Sequence, residues 1–294
     1  MKKKYLTPLL FLAPSLLIIF CFVIFPIFFS LFISLTDFNV HSLVHWGNAK
    51  FIGLANYQQL FQDELFLKCI GNTLYFVVLM VPLALILSLT LALLLNLPFI
   101  KFRKLFRTGY FMPYISDSIA ISTVWYWVVS KDYGILNHIL SWFGIPGPSW
   151  LADPRFAMFA IVGLVVWRSL GYYAFLYLAG LQNIPEQLYE AAEIDGASLG
   201  QKIRHITIPL LAPTTLFISI TSIIGGFQLF AEPLTLTNGG GPMDTTKTIV
   251  LFIYENGFRY FKMGYSAASS YILFAFIFIV TIIQIKFRDQ EILY

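Results

Sequence analysis

Charge is what this sequence has least of. Of 294 residues only 12% are Asp, Glu, Lys or Arg, whereas 58% are hydrophobic and Phe alone occurs 30 times. A soluble domain of this size carries roughly twice as much charge, so the balance fits a chain whose surface is largely lipid. Cysteine is nearly missing. Cys21 and Cys69 stand far apart, Cys21 inside an apolar run, which leaves neither a disulfide framework nor metal-ligand spacing. Both read as small apolar fillers. No G-x-x-x-x-G-K-[ST] run occurs, and the glycines before Pro242 have no lysine in register, so ATP chemistry does not belong to this chain. The four histidines, His41, His45, His138 and His205, fall in loops. No apolar run holds paired carboxylates or a nucleophile with a base, which argues against an intramembrane enzyme and leaves no metal site in view. The net charge of +4 is too small for a nucleic-acid footprint.

Long apolar runs are what the chain does have. About 20 such residues carry a helix across the hydrocarbon core, and helix is the form that satisfies every backbone amide within one segment. Six segments qualify, at about 9–34, 70–97, 108–130, 157–181, 207–231 and 265–286. The expected fold is all-α, one polytopic membrane domain over 1–294 with about six transmembrane helices. The first run follows Lys2, Lys3 and Lys4 but continues past Pro26 without a small-x-small cleavage site, so it reads as an uncleaved span rather than a signal peptide.

Lys and Arg in the loops set the orientation. The N-terminus, 98–107, 182–206 and the C-terminal tail hold eleven: Lys2, Lys3, Lys4, Lys101, Arg103, Lys104, Arg107, Lys202, Arg204, Lys286 and Arg288. The opposite loops hold seven: Lys50, Lys68, Lys131, Arg155, Lys247, Arg259 and Lys262. Both termini are therefore expected in the cytoplasm. The basic 101–107 stretch reads as a topology anchor beside anionic lipid. Outside, Phe143–Trp150 and Asn238–Pro242 are Gly- and Pro-rich turn sequences.

The 182–206 loop carries most information. Asn183 with Glu186 makes a capping-box pattern, and Pro185 suits a first turn. A short helix should run to about Ile194 and stop at Asp195-Gly196, where glycine adopts the left-handed conformation. Ser198 with Gln201 offers a second cap before Lys202, Arg204, His205 and Pro209. Glu186, Glu190 and Glu193 flank the first helix beside Leu188, Ala191 and Ala192. By pattern alone this is either an ordinary surface helix or a docking helix for a partner's groove.

Glu190-Ala191-Ala192, three residues, Gly196, nine residues, then Ile206-Thr207-Ile208-Pro209 resembles the EAA loop of binding-protein-dependent ATP-binding-cassette permeases, E-A-A-x3-G-x9-I-x-L-P. Ile208 replaces the usual Leu. Residues 178–185, 195–198, 227–230, 236–242 and 264–271 are similar to the carbohydrate branch, of maltose and glycerol-phosphate type. So are Gly53–Tyr57 and Tyr133–Asn137. The resemblance implies a permease subunit of an importer in a bacterial-type cell membrane. Its implied partners are a second, different permease subunit, two cytoplasmic ATPase subunits that bind ATP and Mg, and an extracellular solute-binding protein. No cofactor is expected on this chain. Glu190, Ala191, Ala192, Asp195 and Gly196 would form the ATPase-coupling segment.

Two charges fall inside apolar runs, Asp117 and Arg168. Such charges are rare and need a reason. Counted from the same side they lie at similar depths, which allows pairing across a helix interface, the preferred reading, or a place on a water-lined path. For the substrate pathway, Thr221, Ser222 and Gln228 interrupt the fifth run beside Phe227 and Phe230, combining hydrogen bonds with aromatic faces. Gly225 and Gly226 read first as helix-packing positions. The competing class is an ion- or proton-coupled secondary transporter using Asp117. The lack of further buried acids and the presence of the EAA segment count against it. The identity of the solute is not written in the sequence.

Overall fold

The computed structural model describes residues 3–45, 49–97 and 103–289. Lys2, Lys101 and the tail beyond Asp289 lie outside the described residues. All regular elements among them are helical; Thr36 and Phe51 add one isolated bridge.

Four of the expected spans are continuous helix long and apolar enough to cross a membrane: Phe11–Ser34, Glu64–Asn96, Ala157–Gln182 and Met263–Lys286. The first contains a π-turn at Phe20–Ile24 just before Pro26. The fifth segment bends by 64° between Leu199–Leu210 and Ala212–Phe227, where Pro209 and Pro213 remove backbone donors. It ends at Phe227 rather than 231.

The third segment differs most from expectation. Residues 108–130 do not form one helix. Arg103–Ile115 stops, and Ser118–Val128 starts afresh with Asp117 as its N-cap. The Asp117 carboxylate accepts from the Ile119 and Ala120 amides at 2.9 and 3.1 Å, satisfying donors that a helix start leaves open.

The described residues form two compact units. One holds those up to Leu67 with Phe252–Ala275, the other Lys68–Leu251 with the residues from Phe276 onward. In the first, buried Asn56 donates to the carbonyls of Ser34 and Thr36 at 2.8 and 2.9 Å, and Tyr57 bonds Ser34 at 2.8 Å. This gives the Gly53–Tyr57 motif a structural role: it closes the end of the first span.

In the second unit the Ala157–Gln182 helix is the centre. It buries more than half of its side chains, among them Ile161, Leu164 and Tyr177, and leaves Phe159, Trp167 and Phe175 exposed. Lipid tails are as apolar as leucine, so close packing rather than escape from water holds such a helix in place. Glycine makes that approach possible. A methyl group at Gly171 would strike the Tyr110 backbone, and one at Gly180 would meet Leu211 and Thr214 at 2.8 Å. The 237–247 turn is tied to the Glu64–Asn96 helix by Asn72, which donates to the carbonyls of Asp244 and Lys247 at 2.7 and 2.9 Å. Large apolar side chains such as Phe11, Phe22 and Val78 remain on the outside, as a lipid-facing surface requires.

Candidate translocation cavity and coupling loop

Six helices of the second unit contribute to a cavity of about 500 Å³ whose wall mixes polar, aromatic and aliphatic side chains. The break at Asp117 matters here, because it turns Ser118 toward the Ala157–Gln182 helix. Arg168, on that helix, donates to Ser118 and to Glu232 Oε1, the latter at 3.0 Å. Ser118 in turn donates to Glu232 at 3.2 Å. The Glu232 side chain is 4% exposed and that of Arg168 24%, so the carboxylate is enclosed while the guanidinium reaches the cavity edge. Tyr114 and Tyr172 stack beside them, ring centres 4.2 Å apart and planes within 6°.

This geometry corrects the expected pairing of Asp117 with Arg168. The partner of Arg168 is Glu232. Glu232 lies in the short helix Ala231–Leu236, one residue beyond the fifth apolar run as drawn. An acid followed by Pro233 in an otherwise apolar stretch, Leu229–Leu236, was the available clue.

Of the five pathway candidates the cavity gathers four: Thr221, Ser222, Gln228 and Phe230. Phe227 is 4% exposed, packed away from the cavity and not on its wall. The hydroxyls of Thr221 and Ser222 bond back to carbonyls of their own helix, at 2.8 Å to Phe217 and 2.6 Å to Ile218. Gln228 closes the helix as its C-cap with its side chain exposed. Gly225 and Gly226 divide their roles. A methyl at Gly226 would meet Val77 at 2.9 Å and Met80 at 3.3 Å, whereas Gly225 faces open space on the cavity wall. Gly226→Leu is expected to cost about 1–3 kcal/mol by overpacking, and Gly225→Ala close to nothing. Thermal unfolding in detergent should lower the midpoint for the first variant alone.

The 182–206 loop is a helical hairpin. Glu186–Ile194 is helix, and Gly196 follows with φ +75°. The Ala197 amide reaches back to the Ala192 carbonyl at 2.8 Å and the Gly196 amide to Glu193 at 3.0 Å, the bond pair of a Schellman stop. Ser198 and Gln201 form the expected capping box on the next helix. The box expected from Asn183 and Glu186 is absent. Asn183 instead terminates the Ala157–Gln182 helix, its amide bonded to Gly180 and Leu181, and Pro185 takes the cap position without a side-chain bond.

Two ties hold the hairpin shut. Tyr189 bonds Thr207 at 2.9 Å, and Lys202 bonds Glu193 at 2.7 Å. The Lys202 hydrogen bond keeps the Glu193 carboxyl below its ordinary range. A lowered carboxyl is ionised at neutral pH, so this tie is lost only as acid passes below that range. Glu190, Ala191, Asp195 and Gly196 are exposed and Ala192 partly so. Leu188, Ile194 and Leu199 also stand out, with Ile194 88% exposed.

Described elements that are helical throughout, membrane-length apolar helices, a cavity holding an Arg–Glu pair and a braced hairpin together have the construction of a membrane permease. It belongs to the family of binding-protein-dependent transport system inner membrane components, whose model matches residues 5–287. Among relatives, the lactose transport system permease protein LacF of Rhizobium radiobacter is 38% identical, with 94% of this chain and 91% of that protein covered. The arabinooligosaccharides transport system permease protein AraP of Bacillus subtilis is 34% identical, covering 97% and 89%. The sn-glycerol-3-phosphate transport system permease protein UgpA of Yersinia pestis is 31% identical, covering 98% and 95%. A chain from the crystal structure of a bacterial alginate ABC transporter, in complex with alginate pentasaccharide-bound periplasmic protein, has the same fold. The TM-score is 0.81, identity is 23%, and coverage is 96% of this chain and 93% of that one.

Proposed function

We propose that this chain is one permease subunit of an ATP-binding-cassette importer and forms half of the pathway for a sugar or related polar solute. An extracellular binding protein delivers the solute, a second permease completes the pathway, and two ATPase subunits on the cytoplasmic side drive it. Both termini and the 182–206 hairpin lie on that side, in the plasma or inner membrane.

The observation that carries the reading is the Gly196 hairpin. A short helix closed by a Schellman stop and tied at Tyr189 and Glu193 moves as one piece. The second tie runs directly to Lys202, at the start of the bent fifth segment, so force applied to Glu186–Ile194 reaches the helix that walls the cavity. Exposed Leu188 and Ile194 beside acidic Glu190 give a partner groove both apolar and charged contacts.

An ion-coupled carrier needs a carboxylate free to take up and release its ion. Asp117 is engaged in capping two amides and Glu232 in pairing with Arg168, which weighs against that alternative. Co-purification with the partner permease, the ATPase and the binding protein tests the proposal. Solute-loaded binding protein should raise ATP hydrolysis several-fold in reconstituted vesicles. Uptake that persists without ATP and collapses with a protonophore would overturn it.

A further inference from the structure

We infer that the cavity selects uncharged saccharides and that the Arg168–Glu232 pair sets this selectivity. The inference rests on the importer reading and narrows its substrate class.

Arginine on the wall of a transport cavity, left alone, is an anion site: its planar fork matches carboxylate, phosphate and sulfonate. Here it is not alone. Glu232 at 3.0 Å cancels its charge, and among the described residues of this chain no other residue lining the cavity is an acid or a base charged at neutral pH. An arriving anion would gain one half of the pair and be repelled by the other, with Glu232 enclosed too fully for water to screen it. A polyol meets no such conflict. Its hydroxyls both donate and accept and carry no charge, so one can receive from the Arg168 guanidinium at the cavity edge without setting a negative charge against Glu232. The amide of Gln228 offers the same donor-and-acceptor choice. The parallel Tyr114–Tyr172 stack supplies a flat apolar face for the C–H side of a sugar ring. Each element suits a neutral ring bearing hydroxyls.

The test reads cavity charge directly and then uptake. Gly225 faces open space, so Gly225→Cys in a Cys21→Ser background places one accessible thiol on the wall, Cys69 being buried. In the assembled transporter this thiol is titrated with anionic and cationic methanethiosulfonates of equal size. The rate ratio should match that of a free thiol within about threefold, and Glu232→Gln should shift it at least about tenfold toward the anionic reagent. Should Glu232→Gln not assemble, the Arg168→Gln/Glu232→Gln double variant, uncharged again, should return the wild-type ratio. Uptake is then compared for lactose and arabinotriose against lactobionate and trigalacturonate. Transport of a neutral member and no acid supports the inference. A strong wild-type preference for the anionic reagent, or uptake of an acid at a comparable rate, overturns it while leaving the sugar-importer reading intact. Uptake of none of the four, with ATP hydrolysis driven by a non-saccharide, overturns both.

Discussion

Replacing Gly196 by valine should abolish uptake while leaving the protein inserted in the membrane. The turn at Gly196 has φ +75°, and nothing lies within 4 Å of where a side chain would begin. Space is therefore not the constraint; backbone conformation is. A β-branched residue held there costs roughly 1–3 kcal/mol, enough to compete with the two bonds of the helix stop. The hairpin would relieve the strain by changing shape, and the angle between Glu186–Ile194 and the fifth segment would change with it. Gly200 makes a good control, because it too has no neighbour within 4 Å but no positive φ. Gly200→Ala should transport normally. Uptake in membrane vesicles, normalised to the inserted protein, separates the two variants. Loss of at least about tenfold is expected for Gly196→Val, since each 1.4 kcal/mol is a factor of ten.

Breaking the buried ion pair should have the other large effect, and on assembly first. Glu232→Ala leaves Arg168 facing a cavity with no compensating charge. Removing one partner of such a pair costs about 3–5 kcal/mol, whereas replacing both by apolar residues is often neutral. Glu232→Ala is accordingly expected to lower the yield of folded transporter steeply. Arg168→Leu/Glu232→Leu should restore the yield but not the uptake, because the polar wall is gone. Size-exclusion recovery and vesicle uptake of the same preparations give the two readings. If both variants assembled equally well, the pair would not hold the cavity together in the way described.

The run of apolar residues was the most legible property of the sequence. Length alone located the four continuous helices, because lipid demands uninterrupted helix and little else. The Gly196 stop and the Ser198–Gln201 box were legible for a different reason: both are local, each set by residues within a few positions of one another. Structure and expectation part where one residue has two possible duties or its partner lies far away. Asn183 could cap the helix after it or end the helix before it, and it does the latter. Asp117 looked like a mid-span charge in search of an ion, yet it caps a helix that restarts within the third segment. Glu232 does not stand out in the sequence because it falls just past an apolar run, while its partner Arg168 is 64 positions earlier. Phe227 looked equivalent to Phe230, but the helix ends between them and only Phe230 turns to the cavity.

Coupling by the proposed route requires the Glu186–Ile194 helix to meet the ATPase on the inner face of the membrane. Glu190 is exposed and is neither of the side chains that tie the hairpin, Tyr189 and Glu193, so Glu190→Cys in the Cys21→Ser background is a fair reporter. In the assembled transporter this cysteine should form a crosslink to the ATPase subunit and should resist a membrane-impermeant thiol reagent applied to intact cells. Labelling from the outside, or an assembled complex that yields no crosslink to the ATPase, would contradict the account.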